Sequence, residues 1–248
     1  MQLEGQIALI TGGSRGIGRA IALVFAREGA DIAFCHLNDD AQADATAAEI
    51  QALERRAMHR LVDVADIAAA KDFAEEVARA FGPIDILFNN AGMNIRKPFP
   101  EYTEAEFDRI VGVHLKGMFF MAQAVFPAML GRGKGCIINI ASQQGLKGAP
   151  NSAPYSAVKA GIMGFTRALS REAAPKGVRV NAIAPGPIVT DLTATVDPAD
   201  RQAFLDALPV GRFGQPEEIA ATALLLAGPQ GGFYVGATLS PNGGDVMY

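Results

Sequence analysis

Residues 7–18 read Ile-Ala-Leu-Ile-Thr-Gly-Gly-Ser-Arg-Gly-Ile-Gly, and the architecture can be inferred most directly from this segment. Its first four residues form a continuous apolar run, which is typical of a strand buried on both faces. Apolar residues then recur at helical spacing, at Ile17, Ala20, Ile21, Val24 and Phe25. The glycines therefore lie at a strand-to-helix turn, where missing side chains let a pyrophosphate approach the backbone and the helix N-terminus.

Apolar strand-like runs alternate with helical runs along the rest of the chain. Strands are predicted near 6–11, 31–36, 58–62, 84–89, 135–140, 178–184 and 236–240. Helices are predicted at 17–28, 40–55, 66–81, 103–130, 154–173 and 215–227. This alternation predicts a doubly wound α/β fold of three layers, in which helices cover both faces of a parallel sheet. A chain of 248 residues fits one such domain, spanning 1–248.

The segment 186–214 breaks this alternation and contains Pro187, Pro198 and Pro209. Within it, Asp197-Pro198 predicts the cap and first residue of a short helix that runs to about Leu208. A long excursion with its own small helix is more often functional than a plain connection. We therefore expect this segment to take part in function.

Composition narrows the functions that the chain can have. Half of the residues are hydrophobic, which is enough for a sizeable core, and the net charge is −4 without a long basic run. Nothing therefore indicates a nucleic acid or an anionic membrane surface as partner. No basic and apolar leader is visible at the N-terminus, and no apolar run approaches the roughly eighteen residues of a membrane helix, so we expect a cytoplasmic protein.

The cysteines and histidines show no pattern of a metal site. Cys35 and Cys136 fall in or beside strands that would be well apart in a doubly wound sheet, so we expect buried, inert thiols rather than a disulfide. His36, His59 and His114 lie far apart without metal-ligand spacing, so no metal is expected.

Tyr155 and Lys159 stand four residues apart on a predicted helix, so the phenol and the ammonium fall on one face. A free phenol has a pKa of about 10, and a neighbouring lysine favours the phenolate. Ser142, at the end of a predicted strand, could hold a substrate oxygen. By themselves these residues are a weak signal, because Tyr-x-x-x-Lys pairs occur by chance on helix surfaces and serines occur in turns.

Together these features resemble the short-chain dehydrogenase/reductase family from about residue 3 to 245. Two further segments carry the resemblance, namely Asn89-Asn90-Ala91-Gly92 and Asn181-Ala182-Ile183-Ala184-Pro185-Gly186 with Thr190. The resemblance implies a Rossmann fold and hydride transfer between a nicotinamide cofactor and a ketone or secondary alcohol. It also implies that the segment 186–214 closes over the substrate as a lid.

The resemblance assigns catalytic roles to Ser142, Tyr155 and Lys159. Tyr155 would be the general acid in reduction and the general base in oxidation, and Lys159 would lower its pKa and hold ribose hydroxyls. Ser142 would bind the carbonyl oxygen. His114 replaces the asparagine that the family usually has in the fourth position. It could shuttle protons by titrating near neutrality, or it could be a partly buried histidine bonded to the backbone.

The resemblance also implies where the cofactor binds. The glycine turn would surround the pyrophosphate and the adenosine ribose, and Asp63-Val64 would contact adenine unless Asp63 is only a turn cap. Asn90 would lie between the ribose and the nicotinamide, and Ile188 and Thr190 would meet the carboxamide. The expected set is Gly12, Ser14, Arg15, Gly16, Ile17, Gly18, His36, Asp63, Val64, Asn90, Tyr155, Lys159, Ile188 and Thr190.

The end of the second predicted strand bears on the choice between NADP and NAD. His36 stands where a carboxylate would bind the 2′-hydroxyl of NAD and repel a 2′-phosphate. Arg15 could meet that phosphate, whereas Asp39 and Asp40 follow closely and count against this interpretation. We predict NADP, with NAD as the alternative.

The substrate remains open at this level. Length, Arg15 and the missing acid at His36 resemble 3-oxoacyl-[acyl-carrier-protein] reductases. Asn94-Ile95-Arg96-Lys97-Pro98 resembles sugar-acid dehydrogenases such as gluconate 5-dehydrogenase, although this basic loop could also meet an acidic carrier protein or solvent. A broad secondary-alcohol dehydrogenase is a third possibility. A non-catalytic NADP-binding regulator would be of another class, but it predicts loss of Tyr155 or Lys159, and both are present.

The family resemblance also implies a homotetramer. Its contacts would come from the helices near 103–130 and 154–173 and from the C-terminal strand. An apolar surface supports it, formed by Val111, Leu115, Met118, Phe119, Ala122 and Phe126.

Overall fold

The protein was analysed as a computed structural model that describes residues 1–194 and 198–247. Within these ranges the strands form one seven-stranded sheet of order β3-β2-β1-β4-β5-β6-β7, in which all neighbours run parallel. The strands are β1 Ile7–Thr11, β2 Asp31–His36, β3 Ala57–Leu61, β4 Ile86–Asn89, β5 Gly135–Ile140, β6 Val178–Ile183 and β7 Thr238–Leu239. The predicted parallel sheet is therefore confirmed, with each strand within a few residues of its expected position.

Most of the helices lie where the sequence predicts them. The helices are α1 Gly16–Arg27, α2 Asp40–Ala52, α3 Ile67–Phe81, α4 Glu104–Val111, α5 Met118–Arg132, α6 Gln144–Lys147, α7 Ala153–Ala173, α8 Asp191–Ala194, α9 Pro198–Ala207 and α10 Pro216–Ala227. The four-residue helices α6 and α8 were not predicted. The helix predicted at 103–130 differs, because a π-helical stretch at Gly112–Gly117 separates α4 from α5. The predicted cap Asp197 lies outside the described residues, and α9 ends one residue before Leu208.

The sheet lies between two helical layers, as a doubly wound fold requires. Side chains alternate between the two faces of each strand, so that Ile10 and Phe34 contact one layer while Leu9 and Ala33 contact the other. The first layer contains α1, α2 and α10, and the second contains α3, α5 and α7. Burial on both faces explains why the strands read as continuous apolar runs rather than as alternating ones.

The strand order reverses between β1 and β4, and this reversal positions the site. From β1 the chain moves outward through β2 to β3, and it then returns to place β4 on the other side of β1. The helices that follow β1 and β4 lie in opposite layers, so a crevice opens beyond the carboxyl ends of these two strands. Such crevices are the usual binding sites of open α/β sheets.

Cys35 and Cys136 are both free and buried, which confirms the expectation of structural thiols. They belong to β2 and β5, which are separated in the sheet by β1 and β4. Burial raises the pKa of the Cys35 thiol to about 11, so this group stays protonated and unreactive near neutral pH.

The sequence showed no apolar run as long as a membrane helix, but α4, the π-helical stretch and α5 together form a helical span, Glu104–Arg132. By length and composition it is apolar enough to cross a membrane, although no unbroken apolar run marks it. Its apolar side chains Met121, Val125 and Met129 pack in the core against the sheet. A helix in the core of a globular domain passes the same test of length and composition.

Candidate active site

Ser142, Tyr155 and Lys159 meet beyond the carboxyl end of β5. Ser142 follows the strand, while Tyr155 and Lys159 lie one turn apart near the start of α7. The Ser142 side chain lies beside the Tyr155 hydroxyl and lowers the pKa of the phenol. Lys159 is buried, and its Nζ donates a hydrogen bond of 2.8 Å to the carbonyl oxygen of Ile140. The predicted catalytic residues are thus neighbours.

Burial controls the titration of both groups. Tyr155 keeps part of its surface exposed to the cavities, yet burial in the surrounding protein raises its pKa to about 12. The neighbouring Ser142 side chain offsets only part of that rise. Burial lowers the pKa of Lys159 to about 7. We expected Lys159 to lower the pKa of the phenol. The structure differs because Nζ lies 5.4 Å from the centre of the phenol ring and points to Ile140.

His114 lies in the π-helical stretch and packs edge-on against Tyr155, with 5.2 Å between ring centres. Its Nε2 lies 2.7 Å from the carbonyl oxygen of Met93. Burial, followed by the charge of Lys159, lowers the pKa of His114 to about 3. The expected titration near neutrality is therefore wrong, because a buried ring beside a lysine disfavours the imidazolium. The alternative expectation of a buried histidine bonded to the backbone matches the structure.

A cavity of about 510 Å³ opens at the crevice between the ends of β1 and β4. Most of the residues expected to bind a cofactor line it: Gly12, Ser14, Arg15, Gly16, Ile17, His36, Asp63, Val64, Asn90, Tyr155, Lys159 and Thr190. The two exceptions are Gly18 and Ile188. Gly18 packs beneath the turn, and Ile188 lines the adjoining cavity.

The glycine turn has the shape that a pyrophosphate needs. A Cβ atom at Gly18 would lie 2.0 Å from the carbonyl oxygen of Gly12, so only glycine allows α1 to begin this close to β1. The Asn90 side chain braces the turn, because its Nδ2 donates to the carbonyl oxygens of Thr11 and Gly12 at 3.0 and 2.9 Å. A preformed backbone cradle at the N-terminus of α1 fits a dinucleotide phosphate.

Asp39 also lines this cavity, although it does not belong to the expected cofactor-binding set. The Asp39 carboxylate is 8% exposed and accepts a hydrogen bond from the Ser14 hydroxyl. It also lies 3.1 Å from Nδ1 of His36 and 3.5 Å from Nε of Arg15. In sequence Asp39 resembles an ordinary cap of α2, but its side chain makes no cap bond and faces the cavity instead.

Asp63, expected to contact adenine or to cap a turn, has two partners. Its Oδ1 accepts a bond from the backbone of Ala65, as a turn cap does, and its Oδ2 lies 2.7 Å from the Arg109 guanidinium. Among the described residues, no three His, Cys, Asp or Glu side chains are grouped to hold a metal ion.

A second cavity of about 370 Å³ adjoins the first and contains the Ser142 side chain. Tyr155 lines both cavities and therefore stands at their junction. The second cavity has a mixed lining, and Asn94, Arg96, Gln143 and Gln144 supply polar groups in its wall. Phe204 and Phe213 supply apolar cover from the excursion. The sequence analysis gave no role to Gln143 or Phe213, which no motif marks.

Arg96 and Lys97 were both candidates to bind a substrate carboxylate, but their side chains point to different places. Nζ of Lys97 forms an ion pair of 2.6 Å with Glu106 at the start of α4. Arg96 lines the second cavity, and its guanidinium lies 5.4 Å from the ring centre of Phe204. Only Arg96 is thus placed to meet a group bound in that cavity.

Comparison with known proteins identifies the class to which this fold and site belong. Residues 6–201 match the family described as short chain dehydrogenase, and the chain belongs to this oxidoreductase family. The chain is similar to 3-oxoacyl-[acyl-carrier-protein] reductase FabG of Thermotoga maritima, with 36% identity over 247 residues that cover 100% of both chains.

Two solved structures are similar over nearly the whole chain. A blue fluorescent protein from a metagenomic library, in complex with NADPH, has a TM-score of 0.94 and 35% identity and covers 100% of both chains. A short chain dehydrogenase from Burkholderia cenocepacia J2315, in complex with NADP, has a TM-score of 0.92 and 34% identity and covers 99% of both chains. At these identities the likeness extends beyond the fold to the family.

Proposed function

We propose that this protein is an NADP-dependent oxidoreductase that interconverts a ketone and a secondary alcohol, with a 3-oxoacyl thioester as substrate. The placement of Tyr155 carries the proposal. Its hydroxyl lies beside Ser142 and stands where the first cavity, next to the glycine turn, meets the second cavity. A carbonyl group at this junction would lie between the two cavities and within reach of a proton donor.

The chain's own residues would handle the oxygen and the proton. A bound nicotinamide supplies or accepts the hydride. Ser142 would donate a hydrogen bond to the carbonyl oxygen, and Tyr155 would pass its proton to that oxygen as the alcohol forms. With its pKa raised to about 12, the phenol is protonated at neutral pH, which suits the direction of reduction. Buried Lys159 would hold the cofactor ribose from beneath.

The preference for NADP rests on three observations. Arg15 lines the cavity, no acid occupies the position of His36, and two similar structures were solved with NADPH or NADP. The remaining expected contacts with the cofactor, from Asn90, Thr190 and the turn at Gly12, are part of this proposal. The buried Asp39 carboxylate would repel a 2′-phosphate and therefore favours NAD, which is the alternative cofactor.

A hydroxylated sugar acid is the second candidate substrate, and the wall of the second cavity supports it. Asn94 Oδ1, Gln143 Oε1 and Gln144 Oε1 are buried and accept no hydrogen bond from any residue that the structure describes. Substrate hydroxyl groups would satisfy these oxygens, and Arg96 would meet a carboxylate. The 3-oxoacyl assignment is supported instead by full-length similarity to proteins named for that activity.

A substrate panel with both cofactors tests these assignments. We expect turnover of acetoacetyl-CoA with NADPH, and 5-ketogluconate and simple cyclic ketones complete the panel. Arg96→Met serves as the probe, with Lys97→Met as the matched control that removes a charge outside the cavity. For a sugar acid, Arg96→Met should raise KM about tenfold or more while kcat changes little. Binding of NADPH without turnover of any ketone would favour the non-catalytic regulator.

Several broader features remain proposals. The chain 1–248 would act as one dinucleotide-binding and catalytic domain, with the segment 186–214 as its substrate lid. A homotetramer is proposed from the family resemblance, and a cytoplasmic location stays a prediction. The substrate would be a small molecule or an acyl thioester, without a nucleic acid or membrane partner.

A further inference from the structure

Four side chains form a continuous polar line from the protein surface to the wall of the first cavity. Nε2 of His59 lies 3.1 Å from the Asp44 carboxylate, and Nδ1 of His59 lies 3.3 Å from Nε2 of His36. Nδ1 of His36 then lies 3.1 Å from the Asp39 carboxylate. We call Asp44, His59, His36 and Asp39 the two-histidine chain. Three contacts join its four members.

The hydrogens available to these contacts can be counted. An ionised carboxylate brings no hydrogen, so each of the three contacts needs one hydrogen on a ring nitrogen. Two neutral imidazole rings carry only two hydrogens in total. The two-histidine chain is therefore complete only when the pair of rings binds one further proton and carries one positive charge. Without that proton, one of the three contacts places two acceptors against each other.

The line runs from solvent to a buried end, so the proton has an exchange route and a protected site. The exposed fraction is 74% for Asp44 and 25% for His59, and it falls to 1% for His36 and 8% for Asp39. The ring of His59 stacks on Phe34, with 5.4 Å between ring centres, which fixes its orientation in the sheet. A charge held by this pair lies under the cavity wall rather than in bulk water.

Other charged groups near His36 come from every element packed against it. From α2, Asp40 lies 3.8 Å from Nε2 of His36. From the glycine turn, Arg15 lies beside Asp39 and also 3.2 Å from Asp191. From the loop after β3, Asp63 lines the same cavity and is paired with Arg109. Apart from the histidines, these groups near the buried end of the chain are four carboxylates and two guanidinium groups.

We propose that the two-histidine chain holds one titratable proton and thereby controls the choice between NADPH and NADH. This inference rests on the proposed function, since it places a nicotinamide dinucleotide in the first cavity. Ser14, Arg15, His36 and Asp39 line the part of that cavity next to the glycine turn. When the pair is charged, His36 neutralises Asp39, so that Arg15 can bind the 2′-phosphate of NADPH. When the proton leaves, Asp39 repels a 2′-phosphate and holds Arg15.

The sign of the effect follows from the charge. Histidine changes charge between about pH 5 and pH 8, so raising the pH makes this end of the cavity more negative by one unit. Binding of NADPH should therefore weaken relative to NADH as the pH rises. One charge at the rim of a partly exposed cavity changes the affinity for a doubly charged 2′-phosphate by about threefold to tenfold.

Calorimetric binding of NADPH and NADH to the full chain, between about pH 6 and pH 8.5, tests the proposal. We expect the ratio of Kd for NADH to Kd for NADPH to fall by about threefold to tenfold as the pH rises. His59→Gln and Asp44→Asn both break the chain outside the cavity and should flatten this dependence. Asp72→Asn is the matched control, because it also removes an exposed carboxylate bonded to β3, through Arg60.

The ionisation of the phosphate itself is common to all four proteins and cancels in the comparison. Nitrogen NMR of the histidines gives a second readout that needs no cofactor. His114, with its pKa lowered to about 3, stays neutral throughout, so His36 and His59 alone can titrate among the three histidines. In the wild type these two rings should share one added proton near neutral pH, and in Asp44→Asn they should lose it more readily.

An equal pH dependence in the wild type and in both chain variants would overturn the proposal, as would spectra showing two neutral rings down to about pH 5.5. If neither nucleotide binds, the proposed function fails, and the spectra alone decide whether the proton is held. If both bind with a constant ratio, only the role of the two-histidine chain fails.

Discussion

Tyr155 and Lys159 show how burial acts on two groups of opposite charge type. Each loses hydration of its charged form, so the pKa of the phenol rises to about 12 and that of the ammonium falls to about 7. Tyr155 is therefore protonated near physiological pH, whereas Lys159 titrates close to neutral pH. In this arrangement Tyr155 is ready to give a proton.

Tyr155→Phe removes the proposed proton donor but keeps the ring that packs against His114. We expect the fold and NADPH binding to survive while turnover falls about 10²-fold or more, which is a typical contribution of a general acid. Steady-state kinetics and calorimetry measure the two effects. Tyr234→Phe is the control, since Tyr234 lines neither cavity. Near-normal turnover of Tyr155→Phe would remove this residue from the mechanism.

His114 carries a prediction about acid stability. Its pKa is lowered from the ordinary 6.5 to about 3 in the folded protein, so below pH 6.5 the unfolded chain binds a proton that the folded chain does not. Stability is therefore lost as the pH falls from 6.5 toward 3. Relative to His114→Asn, the free energy of unfolding should fall by about 1.4 kcal/mol for each pH unit in this window.

Urea denaturation of the wild type and His114→Asn at several pH values measures this difference. Turnover of the variant should show the same pH profile as the wild type, because a neutral His114 does not titrate in the working range. Parallel loss of stability in both proteins would show that His114 is protonated in the fold.

Among its described residues, the excursion 186–214 contains the short helices α8 and α9, and these residues make few contacts with the sheet. An isolated parallel bridge joins Ile188 to Gly214, which closes the excursion at its base. On α9, Phe204 and Leu205 are half-buried while Arg201 and Asp206 are exposed, and Leu208 beyond the helix is buried. This distribution gives α9 one apolar side, and its Phe204 meets Arg96 across the second cavity.

Hydrogen exchange tests whether this excursion is a lid. With few strand contacts, the segment should exchange quickly without ligand and slowly with NADPH and a substrate analogue. Helix α3 lines neither cavity and serves as the internal control, because its exchange should not change. Equal protection with and without ligands would instead indicate an excursion that is permanently packed at a subunit contact.

At the scale of the assembly, the apolar surface predicted on the long helices is narrower than expected. Met118 and Ala122 face the core, and of the six residues only Phe119 is clearly exposed, at 42%. Its ring lies 5.2 Å from that of Phe165 on α7, next to the exposed Gly164. A glycine inside an exposed helix is unfavourable by about 1 kcal/mol relative to alanine, and a closely approaching subunit would explain it.

Gly164→Leu tests the proposed homotetramer. No atom of the described residues lies within 4 Å of a Cβ placed at Gly164, so this part of the monomer has room for the new side chain. We expect light scattering to show a tetramer for the wild type and smaller species for the variant. Gly131→Leu is the control, because Gly131 also lies on a helix with nothing within 4 Å. A monomeric wild type at micromolar concentration would contradict the proposal.

Local patterns in the sequence were sufficient to predict the sheet, the glycine turn and the positions of Ser142, Tyr155 and Lys159. Strands buried on both faces and helices with one apolar side leave signals within a few residues, and the turn after β1 requires glycine for steric reasons. These features depend on near neighbours, so they survive without knowledge of the tertiary structure.

Only the tertiary structure decided which charges meet and how they titrate. Nothing local shows that Asp39 faces the cavity rather than capping α2, or that His59 of β3 contacts His36 of β2. The same holds for Tyr155, since the direction of its pKa shift depends on burial and not on its spacing from Lys159. Burial and the pairing of distant charges arise from how elements pack together, and sequence spacing contains no record of either.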